Sequence, residues 1–182
     1  MSADEDLVGR VNSGDRSAFE ELFAKYRDTV FNLAASVSGS REQAEDITQE
    51  VFVRAYLGLS GFRGGSKFTT WLYRIAVNQS LRTKSVGFRR AEVEQAIDDL
   101  VLASDEPEPG EAAERSETER RVRRAILELS PAQRAVITLR YLEGLDIAEV
   151  ADVLGSPIGT IKSRIHHALK RMSVGLRDLR DA

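Results

Sequence analysis

The chain has 182 residues, enough for one ordinary domain or two small ones, and contains no cysteine, which excludes a disulfide framework, a thiolate zinc site and a cysteine nucleophile. The formal charge of −3 hides a block pattern: residues 1–50 hold eleven acids and five bases, 51–90 eight bases and no acid, 91–114 nine acids and no base, and 115–182 thirteen bases and nine acids. Two basic segments flank an acidic spacer, and the absence of an apolar signal core or of a run near the roughly 18 apolar residues of a membrane span predicts a soluble, cytoplasmic protein.

In chain order, the first predicted helix opens at a capping box of Ser17 and Glu20, where a serine oxygen accepts from a backbone N–H three residues on and the acid reaches back. Its Phe19, Leu22, Phe23, Tyr26, Val30, Leu33, Ala34 and Val37 step by three or four, the helical period. Ser40 and Gln43 open a second helix through REQAEDITQEVFVRAYLGL, with Ala44, Ile47, Val51 and Ala55 expected inside, until the three glycines of SGFRGGS break it. A third helix runs from about Lys67 to Thr83. Residues 91–114 then read as an acidic linker: two prolines, a glycine and like charges predict an extended chain from about Ser104 to Glu114, while Ile97, Leu100, Val101 and Leu102 retain enough apolar surface to dock.

Beyond the linker, Ser130 and Gln133 box a helix with Pro131 at its first position, where the missing N–H is not needed, and Gly144 closes it. Asp146 and Glu149 box the short helix IAEVADVL, Gly155 ends it, and Ser156 and Pro157 restart the chain as a long final helix. Strand-like alternation of useful length is absent. The expected fold is all-α: two small helical domains, 1–90 and 115–182, joined by the 91–114 linker, the C-terminal one containing a helix-turn-helix.

That turn lies in GSPIGTIKSRIHHALKRM. A helix-turn-helix requires a small residue where its helices approach and apolar residues to lock them; here Ala151 is small, Gly155 makes the turn, and Val150, Leu154, Ile161 and Ile165 form the lock. With Ile161, Ile165, Ala168 and Met172 inward, Thr160, Lys162, Ser163, Arg164, His166, His167 and Lys170 lie outward or flanking, which suits a DNA major groove: polar groups meet base edges and cations meet phosphate. An antiparallel hairpin with a solvated charged face is the bland alternative, against which local basicity and the turn spacing argue. The adjacent histidines do not make a metal site, because helical neighbours point about 100° apart.

On the third helix, Lys67, Trp71, Arg74, Asn78 and Arg82 fall on one stripe and Phe68, Leu72, Ile75 and Ala76 on another. The first stripe mixes cations, an aromatic and an amide, with Phe62 and Tyr73 close by, a combination on which unpaired bases stack while their phosphates are neutralised. Ordinary core aromatics with snorkelling arginines fit the same spacing, and spacing alone leans toward them.

AEDITQEVFVRAY, FTTWLYRIAVN and LSPAQRAVITLRYLEGLDIAEVADVLGSPIGTIKSRIHHAL, in that order, resemble the extracytoplasmic-function (group IV) bacterial sigma factors from about Ser17 to Leu176, apart from the linker. The resemblance implies a non-enzymatic transcription initiation factor without cofactor, metal or small-molecule substrate. Its partners would be core RNA polymerase, promoter DNA in duplex and single-stranded form, and an anti-sigma factor. It implies that Asp46, Gln49 and Glu50, with Arg54 nearby, meet the coiled coil of the polymerase clamp. Phe62, Arg63, Lys67, Phe68, Trp71, Arg74, Asn78 and Arg82 would engage the opening minus-ten element, Asn78 being the best candidate for a base-specific contact because its amide both donates and accepts. The final helix would read the minus-thirty-five element; HHAL puts His167 and Leu169 where many relatives carry cations, and histidine lacks the bidentate fork of arginine. A stand-alone helix-turn-helix regulator is the alternative, but a duplex reader has no use for a second basic, aromatic surface. An enzyme acting on nucleic acid fits worse, since the carboxylates cluster as caps and linker charge.

Overall fold

The computed structural model describes residues 2–82 and 112–176, and every regular element among them is helical. The elements are α1 (Ala3–Asn12), α2 (Arg16–Ser38), α3 (Arg41–Gly58) running into a 3₁₀ turn (Leu59–Gly61), α4 (Phe68–Arg82), α5 (Ala112–Leu127), α6 (Pro131–Ile137), α7 (Ile147–Leu154) and α8 (Ile158–Gly175). Thr83, the apolar group Ile97, Leu100, Val101 and Leu102, and the acidic stretch as far as Glu111 lie outside the described residues. Residues 112–114, expected to be extended, form the first turn of α5 instead.

Caps set most boundaries. The Asp146–Glu149 and Ser130–Gln133 boxes form as expected, and Ser40 Oγ accepts from Gln43 N–H at 3.3 Å. The start of α2 differs: its cap is Asp15, whose carboxylate accepts from Ser17 N–H at 3.0 Å and Oγ–H at 2.6 Å, so Ser17 is a donor inside the first turn. That bond, with the Arg10 guanidinium at 2.8 Å, holds the half-buried Asp15 carboxyl down at about 2. Helix α1 has its own box, Ser2 with Glu5, and is tied down by Asp4, which accepts from Lys25 and from the Tyr26 hydroxyl, both at 2.6 Å. Gly39, at φ 78°, supplies the left-handed residue that ends α2.

Helices α1–α4 form one group and α5–α8 another, yet they share a core. A continuous buried cluster runs from Leu22, Leu33 and Val51 through Leu72 and Val77 to Val136, Leu139, Val150 and Ile161. Each such aliphatic side chain contributes about 1.5–3 kcal/mol against chain entropy. A smaller cluster of Ala125, Ile126, Leu129, Ile137, Ala168 and Met172 closes α5 onto α6 and α8. The two helical groups expected on either side of the linker are therefore docked on one another.

Arg134 fastens the docking. Only 2 % exposed, its guanidinium donates to the carbonyls of Val37 (2.8 and 3.0 Å) and Ser38 (3.3 Å) at the end of α2, and to those of Leu127 (3.1 Å) and Leu129 (3.3 Å) at the end of α5. Final-turn carbonyls have no acceptor duty within their own helix and carry the negative end of its dipole, so two helix ends supply the counter-charge. Burial pulls the Arg134 pKa down to about 10, which leaves it charged at neutral pH. Beside it Ser36 and Thr138 hydroxyls bond at 2.6 Å across the same junction.

Helix α6 does not continue regularly to Gly144. Residues Thr138–Leu142 form a wider π turn, closed by Glu143 N–H to Thr138 O at 3.0 Å. The extra residue leaves Tyr141 and Leu142 exposed, while the Glu143 carboxylate accepts from Tyr73 on α4. Gly155, at φ 57°, turns the chain from α7 into α8, with Val150, Ala151, Val153 and Ile161 buried at the crossing.

Candidate nucleic-acid interface

Helix α3 buries Ala44, Ile47, Val51 and Ala55, as their spacing required, and that row fixes what faces outward. Asp46 and Gln49 are exposed and Glu50 half-buried. At 100° per residue the centre of this outer face is taken by Val53 and Leu57, 55 % and 73 % exposed, which sequence reasoning passed over. The available signal was two apolar residues out of step with the buried row. Arg54 accompanies this face, bonding Glu50 at 2.6 Å, but also leans toward α4.

Helix α4 divides the stripe that the sequence predicted. Trp71, Asn78 and Arg82 line an open groove of about 560 Å³ whose other wall is Arg54, Leu57, Gly58 and Gly61 of α3 and its 3₁₀ turn. Gly58 matters sterically: a Cβ there would sit 3.3 Å from the Trp71 ring, so glycine lets the indole lie against the end of α3. Phe62 flanks the ring with centroids 5.4 Å apart, and Arg63 is exposed on the loop before α4. Cation, indole and amide thus converge where an unpaired base can stack and its phosphate can be neutralised. Phe68 is 4 % exposed and packs edge-on against Phe62 and tilted against Trp71 and Tyr26, so it supports the groove from beneath.

Lys67 and Arg74 lie on the other side of the stripe, against α7. Lys67 Nζ pairs with Glu149 Oε1 at 2.6 Å, and Arg74 Nη2 donates to the Asp152 carbonyl at 2.7 Å. The bond to Glu149 raises the Lys67 pKa, and its reciprocal lowers that of Glu149, which also accepts the Asp146 N–H of its capping box through Oε2 at 3.0 Å. Tyr73, suggested as a stacking partner, is 6 % exposed and donates to Glu143 at 3.0 Å; burial raises both pKa values, and the hydrogen bond lowers that of Glu143 in part.

Helix α8 keeps Ile161, Ala168 and Met172 buried and Ile165 half-buried. Thr160, Lys162, Ser163, His166, His167 and Lys170 are exposed and Arg164 half-buried. None of these seven makes a side-chain hydrogen bond or ion pair with another described residue, and the two histidine rings meet only each other, edge-on at 5.7 Å. Among the described residues there is no cluster of three or more metal-ligating side chains, and no helix is long and apolar enough to cross a membrane.

Comparison with known proteins converges on this arrangement. The family model for Sigma-70 region 2 matches residues 22–91, and that for Sigma-70, region 4 matches residues 119–172. The ECF RNA polymerase sigma factor SigW of Bacillus subtilis is 34 % identical over 94 % of this chain and 96 % of its own length. The RNA polymerase sigma-H factor of Pseudomonas aeruginosa is 36 % identical over 97 % and 95 %, and the ECF sigma-E factor of Escherichia coli K12 37 % over 91 % and 90 %. Among solved structures, CnrH in complex with the cytosolic domain of CnrY superposes with a TM-score of 0.70 at 25 % identity, covering 97 % of this chain and 99 % of that one. RpoE of Bartonella quintana, in its complex with the anti-sigma factor NepR, shares the fold with a TM-score of 0.62 at 22 % identity over 87 % and 96 %.

Proposed function

The chain belongs to the extracytoplasmic-function sigma factors, and from that membership we propose how its surfaces divide the work of starting transcription. The chain itself performs no bond chemistry; it confers promoter specificity on RNA polymerase. The outer face of α3, Asp46, Gln49 and Glu50 with Val53 and Leu57 at its centre, docks on the polymerase clamp, an apolar patch rimmed by acids and an amide being the composition of a protein contact. Arg54 stands at its border and serves the neighbouring groove as well.

The observation that carries the nucleic-acid reading is the convergence of Trp71, Asn78, Arg82 and Arg54 on one open groove between α3 and α4. That groove, with Phe62 and Arg63 beside it, Phe68 beneath and the cations Lys67 and Arg74 on the opposite flank of α4, holds the unwound non-template strand of the minus-ten element. A site that binds only unpaired bases drives strand separation by favouring the open form. Helix α8 enters the major groove of the minus-thirty-five element, Thr160 and Ser163 toward base edges and Lys162, Arg164 and Lys170 toward phosphates, with His166 and His167 beside them. Residues 1–90 and 115–182 thus act as two promoter-binding domains, the acidic stretch between them threads through polymerase, and an anti-sigma factor holds the chain in reserve. Its place of action is the bacterial cytoplasm, where polymerase works.

Run-off transcription with purified chain, bacterial core polymerase and a pool of randomised promoters tests the reading directly: enrichment of a two-part promoter is expected, and no transcript above core polymerase alone refutes it. Glu50→Lys should block holoenzyme assembly on a native gel while leaving the helical circular dichroism unchanged.

A further inference from the structure

We infer that the free chain occludes its own minus-ten surface: α7 occupies one flank of α4, so that Lys67 and Arg74 serve either Glu149 and the Asp152 carbonyl or the promoter strand, and cannot serve both at once. The inference rests on the nucleic-acid role given above to α4.

What α7 offers α4 is chemically what a DNA backbone would offer. Glu149 presents a carboxylate to Lys67 at 2.6 Å, and the C-terminal turn of α7 presents a carbonyl at the negative end of its dipole to Arg74 at 2.7 Å. Both cations are exposed, and an ion pair whose lysine is 75 % exposed holds weakly in water and is screened by salt. The seam is therefore asymmetric. Its inner half, around Arg134, Thr138 and Ser36, is buried and hydrogen-bonded, whereas its outer half, over α4, is wet and exchangeable. Such a seam holds the domains together in the free chain and yields its outer half to a competing polyanion.

Glu149 allows a clean test because its two oxygens have separate duties, Oε1 to Lys67 and Oε2 to the Asp146 N–H. Glutamine still accepts that N–H, so Glu149→Gln keeps the capping box and α7 while removing the charge presented to Lys67. The chain has no native cysteine, so a donor and an acceptor dye can be attached at Ser60→Cys and Ser173→Cys, both exposed, in the full-length protein. The free protein should show a short, narrow inter-dye distance that broadens toward longer values in Glu149→Gln and in raised salt. A fluorescent single-stranded oligonucleotide carrying the non-template minus-ten sequence of a promoter enriched by run-off should bind Glu149→Gln several-fold more tightly than the parent without polymerase, and Lys67→Gln in the same chain should cancel the gain.

A free protein with a long, broad distance that Glu149→Gln leaves unaltered overturns the docked seam. Oligonucleotide binding that depends on Trp71 and Asn78 but not on Glu149 overturns the occlusion alone. Binding indifferent to Trp71, Asn78 and Glu149 together removes the groove assignment and the occlusion with it, and the distance measurement then still reports on the seam independently.

Discussion

Helices α4 and α8 are both cationic, both amphipathic and both assigned to promoter DNA, yet they meet the rest of the chain in opposite ways. Helix α8 buries a thin row of Ile161, Ala168 and Met172 and leaves its polar face to solvent, with no side-chain bond from that face to another described residue. Helix α4 buries Phe68, Leu72, Tyr73, Ala76 and Val77 and has its remaining face divided, Trp71, Asn78 and Arg82 opening onto a groove and Lys67 and Arg74 bonded to α7. A duplex reader can be presented ready-made, because the major groove exists before the protein arrives. A reader of unwound DNA is needed only after strand opening, and a surface with cations and aromatics exposed together would bind any single strand in the meantime. Covering part of it is a physical way to delay its use.

Replacing Arg134 should break this difference most severely. Arg134→Met removes the guanidinium that serves carbonyls of both helix groups, leaving Val37, Ser38, Leu127 and Leu129 oxygens short of a donor in a buried place. Each buried carbonyl left without a donor costs about 1–3 kcal/mol, to be read from the urea midpoint, and the two groups should separate before either melts. A single unfolding transition at an unchanged midpoint would mean that the staple does not hold the seam.

The next variants sharpen the contrast between reading bases and holding phosphates. Asn78→Ala in α4 should alter preference at one base of the melted element by about 1–3 kcal/mol, measured as relative transcription from single-base promoter variants; equal weakening of all variants would reassign Asn78 to the backbone. Lys170→Ala in α8 should do the reverse, lowering affinity across sequences and flattening the slope of log K against log salt by about one unit. A changed base preference there would turn Lys170 into a reader.

What the sequence could disclose was local. The boxes at Ser130 and Asp146, the glycine stop at Gly155 and the buried row of α3 depend on residues within a few positions of one another, and each is found as its spacing required, whereas the helix expected to reach Gly144 gives way to a π turn and Ile165 of the α8 row is half-buried. The α4 stripe was legible for the same reason. Helix α1 was missed because only Val8 of its ten residues is fully buried; Ser2 with Glu5 was the one signal available. Asp15 displaced Ser17 as a cap because the two sit two residues apart and the carboxylate takes both serine donors. The groove wall of Arg54 and Gly58, the exposed Val53 and Leu57, and the whole seam escaped because they arise from one helix meeting another. Arg134 shows this best: nothing in PAQRAV marks its arginine as the residue that reaches two distant helix ends.

The smallest effect concerns Glu143, a half-buried acid of the seam. Burial raises the Glu143 pKa above its ordinary value of 4.5, although the Tyr73 hydroxyl partly opposes this, so the docked chain binds that proton more tightly than the open one. Docking is therefore favoured in full while Glu143 is protonated, and a penalty grows as pH rises from 4.5 through the raised value, remaining constant beyond it. Glu149 works in the opposite sense and in a different window: its pKa is lowered by Lys67, so its contribution is present above 4.5 and is lost only as pH falls through the depressed value. The two carboxylates bracket the ordinary value from either side, which makes them separable by titration. In the dye-labelled chain, the docked fraction should fall modestly between pH 4.5 and neutrality. Glu143→Gln, which still accepts from Tyr73 but carries no charge, should flatten that fall and leave the acid-side loss in place. A fall of unchanged size in Glu143→Gln would assign the titration to another group and leave α4 covered by packing and the Glu149 charge alone.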